Sequence, residues 1–372
     1  MKITVPDYYK EFKCIAGACE DTCCAGWQVD VDEDSFAYYK TIKGPFGERL
    51  RSVMVEGKNG CEGQFPICED GRCPFLNDNN LCDLYAELGE DALCVTCDQY
   101  PRYTTEFGNT KEVGIALSCK TAAELILRDD RTPGFEESED DESFSKLNNI
   151  DGELYMALVK ARKKAFEIVW DRSISIPQRM RVLLDYAEGL QKLMKKPSKI
   201  GEYIKNFEPK SDARVHLSPD KEVKRYYAIW KCYMKQVIIK KEWPQLLKSL
   251  YENVYLKDYE GAKNAFGEAY KAKEYEYENL LNYFVFRYFL KAVFDRDVLT
   301  KVKLAVISVL IIRQCDIGRW TVNGGNLTYE EQVDICHLYS RELEHSEENL
   351  AGMCKMFAKK SIFKVERIKE LI

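Results

Sequence analysis

Residues 302–312 read VKLAVISVLII, and residues 282–289 read NYFVFRYF. A helix that is apolar on most of its sides is normally a central helix, because neighbouring elements must cover every face. The longest uncharged apolar run, Leu304 to Ile312, has nine residues, whereas a helix that spans a membrane needs about 20. The two stretches therefore predict buried helices at the centre of a helical bundle.

Helical patterns continue over the C-terminal two thirds of the chain. Apolar side chains recur there every three or four residues, which places them on one face of each helix. Ser218 and Pro219 are typical of a helix start, with an N-cap followed by proline in the first turn. Thr328 with Glu331 matches a capping box. The sequence shows no series of strand patterns, and residues 145–372 are predicted to form an α-helical domain.

The overall composition is that of a soluble globular protein of 372 residues, with 45% hydrophobic and 31% charged residues. The formal charge is 55 − 61 = −6, and the pI is near 5.5. A nucleic-acid binder needs a basic face, so we expect no nucleic-acid partner. The N-terminus lacks an apolar run of signal-peptide length. We therefore expect a cytoplasmic protein without a transmembrane segment.

The 15 cysteines are concentrated near the N-terminus. A cytoplasmic chain keeps its thiols reduced, which argues against a disulfide framework. Scattered buried thiols would not collect in one third of the chain, so the pattern favours metal binding. Eleven cysteines lie in residues 1–119, namely Cys14, Cys19, Cys23, Cys24, Cys61, Cys68, Cys73, Cys82, Cys94, Cys97 and Cys119.

Two kinds of metal group suit such a thiol set. Thiolates select zinc or iron–sulfur clusters, and both take four sulfur ligands. Only Cys94 and Cys97 have the C-x2-C spacing of a zinc knuckle. The adjacent thiols of Cys23 and Cys24 point in different directions, which suits a polynuclear cluster or two neighbouring sites. An iron–sulfur cluster is therefore favoured, with zinc as the alternative.

The N-terminal third is predicted to be a small, loop-rich, metal-binding segment. Residues 1–128 are punctuated by glycine and proline, which mark turns. Short helices are expected at 33–41, 83–88 and 119–128, and Ser118 is the expected N-cap of the last one.

An acidic stretch separates the two parts of the chain. Eight acidic residues lie between Asp129 and Glu142, and a single arginine offsets them. Such a run is typical of a solvated linker or loop, which we assign to residues 129–144. The predicted fold class is thus mainly α, with a Cys-rich metal-binding N-terminal segment followed by an α-helical domain.

Common catalytic motifs are absent from the sequence. No G-x-G-x-x-G or Walker A motif occurs, so neither a Rossmann-type cofactor site nor a phosphate cradle is supported. The chain has three histidines. We expect His337 to be a satisfied helix histidine, and His216 and His345 to be solvated.

Several blocks of the N-terminal third resemble the flagellin lysine-N-methylase family. The opening block is CIAGACEDTCCAGW, residues 14–27. The resemblance covers about the first 128 residues, and a broader group of zinc- or iron-chelating bacterial proteins shares its CC and CPFL elements. The further matching blocks are RCPFL at 72–76, LC at 81–82, ELGE at 87–90, Cys97 with YPR at 100–102, and LSC at 117–119 followed by AAEL at 122–125.

The resemblance implies that methyl groups are transferred from S-adenosylmethionine to surface lysines of flagellin. It also implies an iron–sulfur cluster, of the 4Fe-4S kind, in place of a standard methyltransferase fold. Eight thiolates exceed the four that bind one cluster, so two metal sites exist or half of the thiols are structural. The cysteines that fit the family pattern, and that the resemblance implies as metal ligands, are Cys14, Cys19, Cys23, Cys24, Cys73, Cys82, Cys97 and Cys119.

The resemblance does not assign a catalytic base or a donor-binding residue. The donor's sulfonium is a cation, which aromatic faces can hold. Trp27, Tyr100, Tyr103 and Tyr283 are candidates because of their position near matched motifs, although core packing is the commoner role of such residues.

Two other functions are compatible with the sequence. A non-catalytic zinc- or iron-binding module would present the helical domain to a partner, and a redox or metal-handling protein would belong to the broader CC/CPFL group. The sequence leaves the oligomeric state open.

Overall fold

The computed structural model describes residues 1–57, 62–141, 150–210 and 217–372. The chain is mainly α-helical, as predicted. Cys61, His216 and residues 142–144 of the predicted linker lie outside the described residues.

The N-terminal third contains short helices joined by loops. The predicted helices at 33–41 and 83–88 are confirmed, and the third begins one residue later than predicted. Its N-cap is Cys119, so the assignment of Ser118 is wrong: the Ser118 carbonyl instead accepts a hydrogen bond from the Tyr100 hydroxyl. The helices are α1 (Glu33–Thr41), α2 (Gly44–Val53), α3 (Asp83–Leu88), α4 (Val95–Gln99) and α5 (Lys120–Leu127).

Two small sheets accompany these helices, although the sequence predicted no strands. Their strands have two to six residues, too short for a clear alternation of apolar and polar side chains. The strands are β1 (Lys2–Pro6), β2 (Val29–Val31), β3 (Val55–Glu56), β4 (Gly63–Phe65), β5 (Arg102–Phe107), β6 (Thr110–Ile115) and β7 (Phe135–Glu139). One sheet has the order β5-β6-β1-β7 and the other β2-β4-β3.

The acidic stretch differs from the prediction of a linker or loop. Its strand β7 pairs antiparallel with β1, from Lys2 opposite Glu139 to Pro6 opposite Phe135. The acidic side chains of this strand are exposed, while the Phe135 ring stacks on Phe286, 5.0 Å between ring centroids. The charge pattern concealed the strand because four of its five residues are exposed and polar, and Phe135 is its one apolar residue.

The C-terminal part is an assembly of helices around α14. The helix starts at Pro219 and at Thr328 are confirmed, and the Thr328 capping box is present. No helix among the described residues is both long and apolar enough to cross a membrane. The helices are α6 (Gly152–Val169), α7 (Ile176–Gln191), α8 (Ile200–Asn206), α9 (Pro219–Tyr233), α10 (Glu242–Leu250), α11 (Tyr259–Tyr270), α12 (Tyr275–Tyr288), α13 (Ala292–Asp295), α14 (Val298–Val322), α15 (Tyr329–Leu343), α16 (Glu347–Lys359) and α17 (Val365–Lys369).

The described residues form two hydrophobic cores. The large core surrounds α12 and α14, which are buried on nearly all sides as the sequence predicted, and it also includes α5 and residues of β6. The small core lies within residues 29–97, where Val31, Tyr39, Leu50 and Phe75 are almost fully buried. The loop of residues 14–27 runs between the small core and α15, and this junction is where the candidate site lies.

Candidate functional site

Backbone hydrogen bonds bring one set of thiols together beside the small core. The amide of Cys73 donates to the carbonyl of Cys24 at 2.8 Å, and the amide of Leu76 donates to the carbonyl of Cys73 at 2.9 Å. Leu76 in turn forms an isolated β-bridge with Cys82. We call Cys24, Cys73, Cys82 and Cys97 the inner thiol group.

The members of the inner thiol group lie close enough to shift one another's pKa. Burial raises the pKa of Cys73 to about 12, and the nearby thiols of Cys24 and Cys82 raise it further. The pKa of Cys97 is raised by its hydrogen bond with Cys94 and by burial, and the charges of Cys24 and Cys73 act in the same direction. Cys94 therefore lies beside this group although it is outside the family pattern.

The remaining thiols of the family pattern form a second set near the large core. Lys120 directly follows Cys119, and Glu20 directly follows Cys19. A salt bridge of 2.8 Å between Lys120 and Glu20 holds the two segments together. Burial raises the pKa of Cys119 to about 11, and the nearby thiols of Cys19 and Cys14 contribute. We call Cys14, Cys19, Cys23 and Cys119 the outer thiol group.

The thiols are gathered, but they are not packed around a single ion. Among the described residues, no three Cys, His, Asp or Glu side chains are close enough to hold one metal ion. Thiolates on the corners of a four-iron cluster lie further apart than the four ligands of one zinc ion. Two sets of four thiols therefore fit iron–sulfur groups in number and chemistry, and the eight cysteines stay predicted ligands.

A charged cluster joins α15 to the loop that carries Cys14, Cys19 and Cys23 of the outer thiol group. Asp21 accepts hydrogen bonds from His337 Nε2 at 2.7 Å, from Lys240 Nζ at 2.6 Å and from Arg341 at 3.4 Å. We call these four residues the Asp21 cluster. Burial opposes the charge on Asp21, but the hydrogen bond from His337 and the charge of Arg341 outweigh it and hold its pKa well below its usual range.

Arg341 places a positive charge beside the thiols, and some of its hydrogen-bond donors lack partners among the described residues. Its side chain is 1% exposed, one nitrogen donates to the carbonyl of Thr22 at 3.1 Å, and its Nε and Nη1 have no partner among the described residues. The pKa of Cys23 is raised by its hydrogen bond with Cys24 and by burial, and the charge of Arg341 opposes this rise. The pKa of Cys24 is lowered to about 7 by the hydrogen bond with Cys23, and the charge of Arg341 adds to this lowering. Lys240 and Arg341 share the carboxylate of Asp21, so the Asp21 cluster carries one positive charge more than it has negative charges. A buried charge of this kind needs a partner of opposite sign.

An aromatic group borders the same loop. The Trp27 ring meets the His345 ring edge-on with 4.5 Å between centroids, and Tyr100 lies 5.5 Å from His345. The Trp27 indole donates to the carbonyl of Cys23 at 2.6 Å. The structure thus brings together two of the four aromatic candidates.

The other two candidates lie in a different place. Tyr103 and Tyr283 surround Arg287, whose guanidinium carbon is 4.4 Å from the centre of the Tyr103 ring. Arg287 pairs with Glu344, which is buried. These tyrosines already hold a cation of the protein, so they are not suited to hold the sulfonium of a donor.

The expectation that His345 is solvated is wrong. Its ring packs on Trp27, and its Nε2 is buried without a partner in the described part of the chain. Burial, together with the charges of Arg341 and Arg287, lowers the pKa of His345 to about 3. His337 is buried and its Nε2 is hydrogen-bonded to Asp21, but its Nδ1 has no partner among the described residues, so the expectation of a satisfied helix histidine holds for one ring nitrogen only.

Three residues of the site, Asp21, Lys240 and Arg341, were not predicted from the sequence. The spacing His337-x3-Arg341-x3-His345 was a usable signal, since residues four apart share one face of a helix. Nothing in the sequence indicated that this face meets a loop more than 300 positions earlier.

A family model for the FliB lysine N-methylase C-terminal domain matches residues 162–371 of this mainly helical chain, which is more than half of it. This chain is therefore a member of the FliB lysine N-methylase family, which confirms the resemblance seen in the N-terminal motifs.

Individual relatives match a shorter stretch. The flagellar biosynthetic protein FliU of Salmonella muenchen is 28% identical over 131 residues, which cover 34% of this chain and 78% of that protein. Lysine-N-methylases of Salmonella typhimurium and Salmonella choleraesuis are also 28% identical over 131 residues, again 34% of this chain. The match spans about a third of the length of these two relatives, at 33% of each. No solved structure gives a significant match.

Proposed function

We propose that the protein is a protein lysine N-methyltransferase that uses S-adenosylmethionine and acts on flagellin. Family membership supports the reaction, and two relatives bear the name lysine-N-methylase. The name of the Salmonella muenchen relative connects the family with flagellar biosynthesis. The observation that carries the proposal is the junction of the outer thiol group with the Asp21 cluster, because it joins the N-terminal motifs to the matched C-terminal domain.

We propose that the outer thiol group holds an iron–sulfur cluster, of the 4Fe-4S kind. A thiolate-bound cluster is negatively charged, and Arg341, beside Cys23, has two buried nitrogens, Nε and Nη1, without partners in the part of the chain that the structure describes. Hydrogen bonds to the sulfurs would satisfy these donors and set the cluster's electronic properties. Where three of the four outer thiols bound the cluster, its fourth iron would be free to hold the amino and carboxylate groups of the donor.

The residues around the junction have separate tasks in this proposal. Trp27 and Tyr100 offer aromatic faces to the sulfonium of the donor, whose positive charge the π-systems attract. His345 is neutral at physiological pH, and its buried Nε2 can accept a hydrogen bond from the lysine amine. A neutral amine is the nucleophile: as its N–C bond to the methyl group forms, the S–C bond breaks and the neutral thioether leaves. A neutral acceptor suits this step because a nearby negative charge would favour the unreactive ammonium form.

The proposal is tested by methyl transfer with site variants. Full-length protein, purified without oxygen, is incubated with flagellin of its own organism and with S-adenosylmethionine that carries a radiolabelled methyl group. We expect label in flagellin with the wild type, and a loss of at least tenfold in kcat/KM with Arg341→Gln. Arg319→Gln, a substitution of a half-buried arginine on α14, is the matched control and should keep wild-type activity.

The outcomes separate an enzyme from a binding module. Circular dichroism first establishes that both variants keep the helical fold. Equal label transfer by wild type and Arg341→Gln would remove the Asp21 cluster from the reaction. A metal-loaded wild type that binds flagellin but transfers no label would support the non-catalytic module instead.

A further inference from the structure

We infer that the exposed surface of α9 and of the loop after it binds the protein substrate, through a segment of that substrate in which acidic side chains flank apolar ones. The identity of the substrate as flagellin rests on the proposed function, whereas the chemistry of the surface does not. We call this surface the α9 surface, and its residues are Tyr227, Lys231, Met234, Lys235, Val237 and Ile238.

The α9 surface is a basic region of an acidic protein. Residues 223–241 contain six basic residues and no acidic residue, whereas the formal charge of the whole chain is −6. Lys231 and Lys235 are exposed, and neither pairs with a carboxylate in the described part of the chain. The ammonium of Lys231 instead lies 4.6 Å from the centre of the Tyr227 ring. Positive charge that the protein itself does not neutralise attracts an acidic partner.

Apolar side chains lie between these lysines. They do not belong to the core, because α9 packs on the large core through its other face, which includes Trp230 and Tyr233. Exposed apolar side chains that lie together mark interaction sites, and tyrosine and methionine are enriched at protein interfaces. The apolar members of the α9 surface are between 39% and 54% exposed, namely Tyr227, Met234, Val237 and Ile238.

Two buried side chains hold the loop after α9 in place. Asn349 accepts a hydrogen bond from the amide of Val237 at 2.9 Å and donates one to its carbonyl at 2.8 Å. Glu342 accepts hydrogen bonds from the amide of Ile239 at 3.1 Å and from the amide of Lys240. The loop therefore presents its apolar side chains on a fixed backbone, and a partner does not have to order the loop when it binds.

The loop leads into the candidate site. Lys240 follows the α9 surface, and its ammonium binds Asp21 at 2.6 Å. A protein that covers the α9 surface therefore also lies next to the Asp21 cluster. A lipid surface would attract basic and apolar side chains as well, but a protein substrate has to reach the site where its lysine is modified. This position favours the protein substrate as the occupant.

The apolar contacts are tested by Val237→Ser combined with Ile238→Ser in the full-length protein. Binding of flagellin is measured by surface plasmon resonance without a methyl donor. We expect the affinity to fall at least about tenfold, mainly through faster dissociation. The matched control combines Met156→Ser on α6 with Val322→Ser on α14, whose side chains are 56% and 53% exposed, and it should bind as the wild type does.

The charge is tested by Lys231→Gln combined with Lys235→Gln. We expect association with flagellin to slow roughly fivefold at low salt. The difference from the wild type should disappear at about 1 M salt, where the screening length is about 3 Å. The control combines Lys195→Gln with Lys196→Gln, which removes two exposed lysines after α7 and should leave association unchanged.

A kinetic measurement separates docking from chemistry. In the methyl-transfer assay, the combined Val237 and Ile238 substitutions should raise the KM for flagellin and leave kcat unchanged, because these side chains belong neither to the Asp21 cluster nor to the aromatic group. Circular dichroism establishes that every variant keeps the helical fold.

Three results would overturn the inference. Wild-type affinity in both double variants would remove the α9 surface from docking, and a folded wild type that does not bind flagellin would remove the partner. Variants that keep flagellin binding but lose binding to vesicles of phosphatidylglycerol and phosphatidylethanolamine would assign the surface to a membrane. A wild type that binds flagellin through the α9 surface but transfers no methyl group would contradict only the proposed function.

Discussion

Replacing Glu276 with glutamine should remove a pH dependence of stability that originates in the large core. Glu276 lies on α12 and is fully buried, one carboxylate oxygen accepts the hydroxyl of Tyr270, and the other has no partner among the described residues. Burial raises the pKa of Glu276 from 4.5 to about 7. The folded protein therefore keeps a proton that the unfolded chain releases.

The sign and size of the effect follow from proton linkage. Between pH 4.5 and about 7 the folded state binds more protons than the unfolded state, so the free energy of unfolding falls as the pH rises. Over the whole interval the free energy of unfolding falls by about 3 kcal/mol, and about 2.5 kcal/mol of this is lost between pH 5 and pH 8. The glutamine of Glu276→Gln cannot ionise, so the variant should lose none of this free energy of unfolding.

The assay is urea unfolding followed by circular dichroism at pH 5 and pH 8. At pH 5 the variant and the wild type should be similar, because the hydroxyl of the protonated carboxyl and the NH2 group of the amide are each one neutral buried group without a partner. At pH 8 the variant should be more stable by about 2.5 kcal/mol. All other titratable groups that the substitution leaves unchanged contribute equally to both proteins. Their pH dependence therefore cancels when the free energy of unfolding of one protein is subtracted from that of the other.

Glu278, two positions along the same helix, is the control. It is buried and pairs with Arg179 and Arg172. Glu278→Gln should cost about 3–5 kcal/mol at both pH values, because it leaves Arg179 buried without its partner. If the wild type and Glu276→Gln lost stability in parallel between pH 5 and pH 8, the account of Glu276 would be refuted.

Two further predictions concern the site. The variants Cys23→Ala and Cys73→Ala should each give poorly soluble protein that is depleted in metal, as measured by iron and zinc analysis. The control Cys336→Ala should retain its metal. Equal metal content in all three variants would make the ligand assignment wrong. The variant Trp27→Leu should bind S-adenosylmethionine at least tenfold more weakly, measured by calorimetry, without a large loss of stability. The control Trp320→Leu should bind it as the wild type does. Unchanged binding by Trp27→Leu would remove the aromatic face from the donor site.

The helical part of the fold was predictable because its signals are local. The apolar run of α14, the Thr328 capping box and the proline after Ser218 each specify structure within a few residues. The strands were not predictable in this way, because β1 takes its partners from β6 and β7, more than 100 positions away. Short strands derive their stability from such pairing and leave little pattern in the sequence.

The site was predictable only in part. The cysteines were visible as a cluster in the sequence, but their division into two groups depends on loops that fold back, such as the one that joins Cys24 to Cys73. His345 was interpreted as solvated because its neighbours in the sequence are polar. One of these, Glu344, is itself buried and satisfied by Arg287 and Tyr288, so local polarity was a poor guide to burial.

The most direct test of the proposed reaction is the fate of an isotopically labelled methyl group. Flagellin is incubated with the metal-loaded protein and with S-adenosylmethionine whose methyl group is deuterated, and the flagellin peptides are sequenced by mass spectrometry. The account predicts deuterated methyl groups on lysine side chains, and none when the protein lacks its metal. Label on residues other than lysine, or equal labelling by metal-free protein, would contradict it.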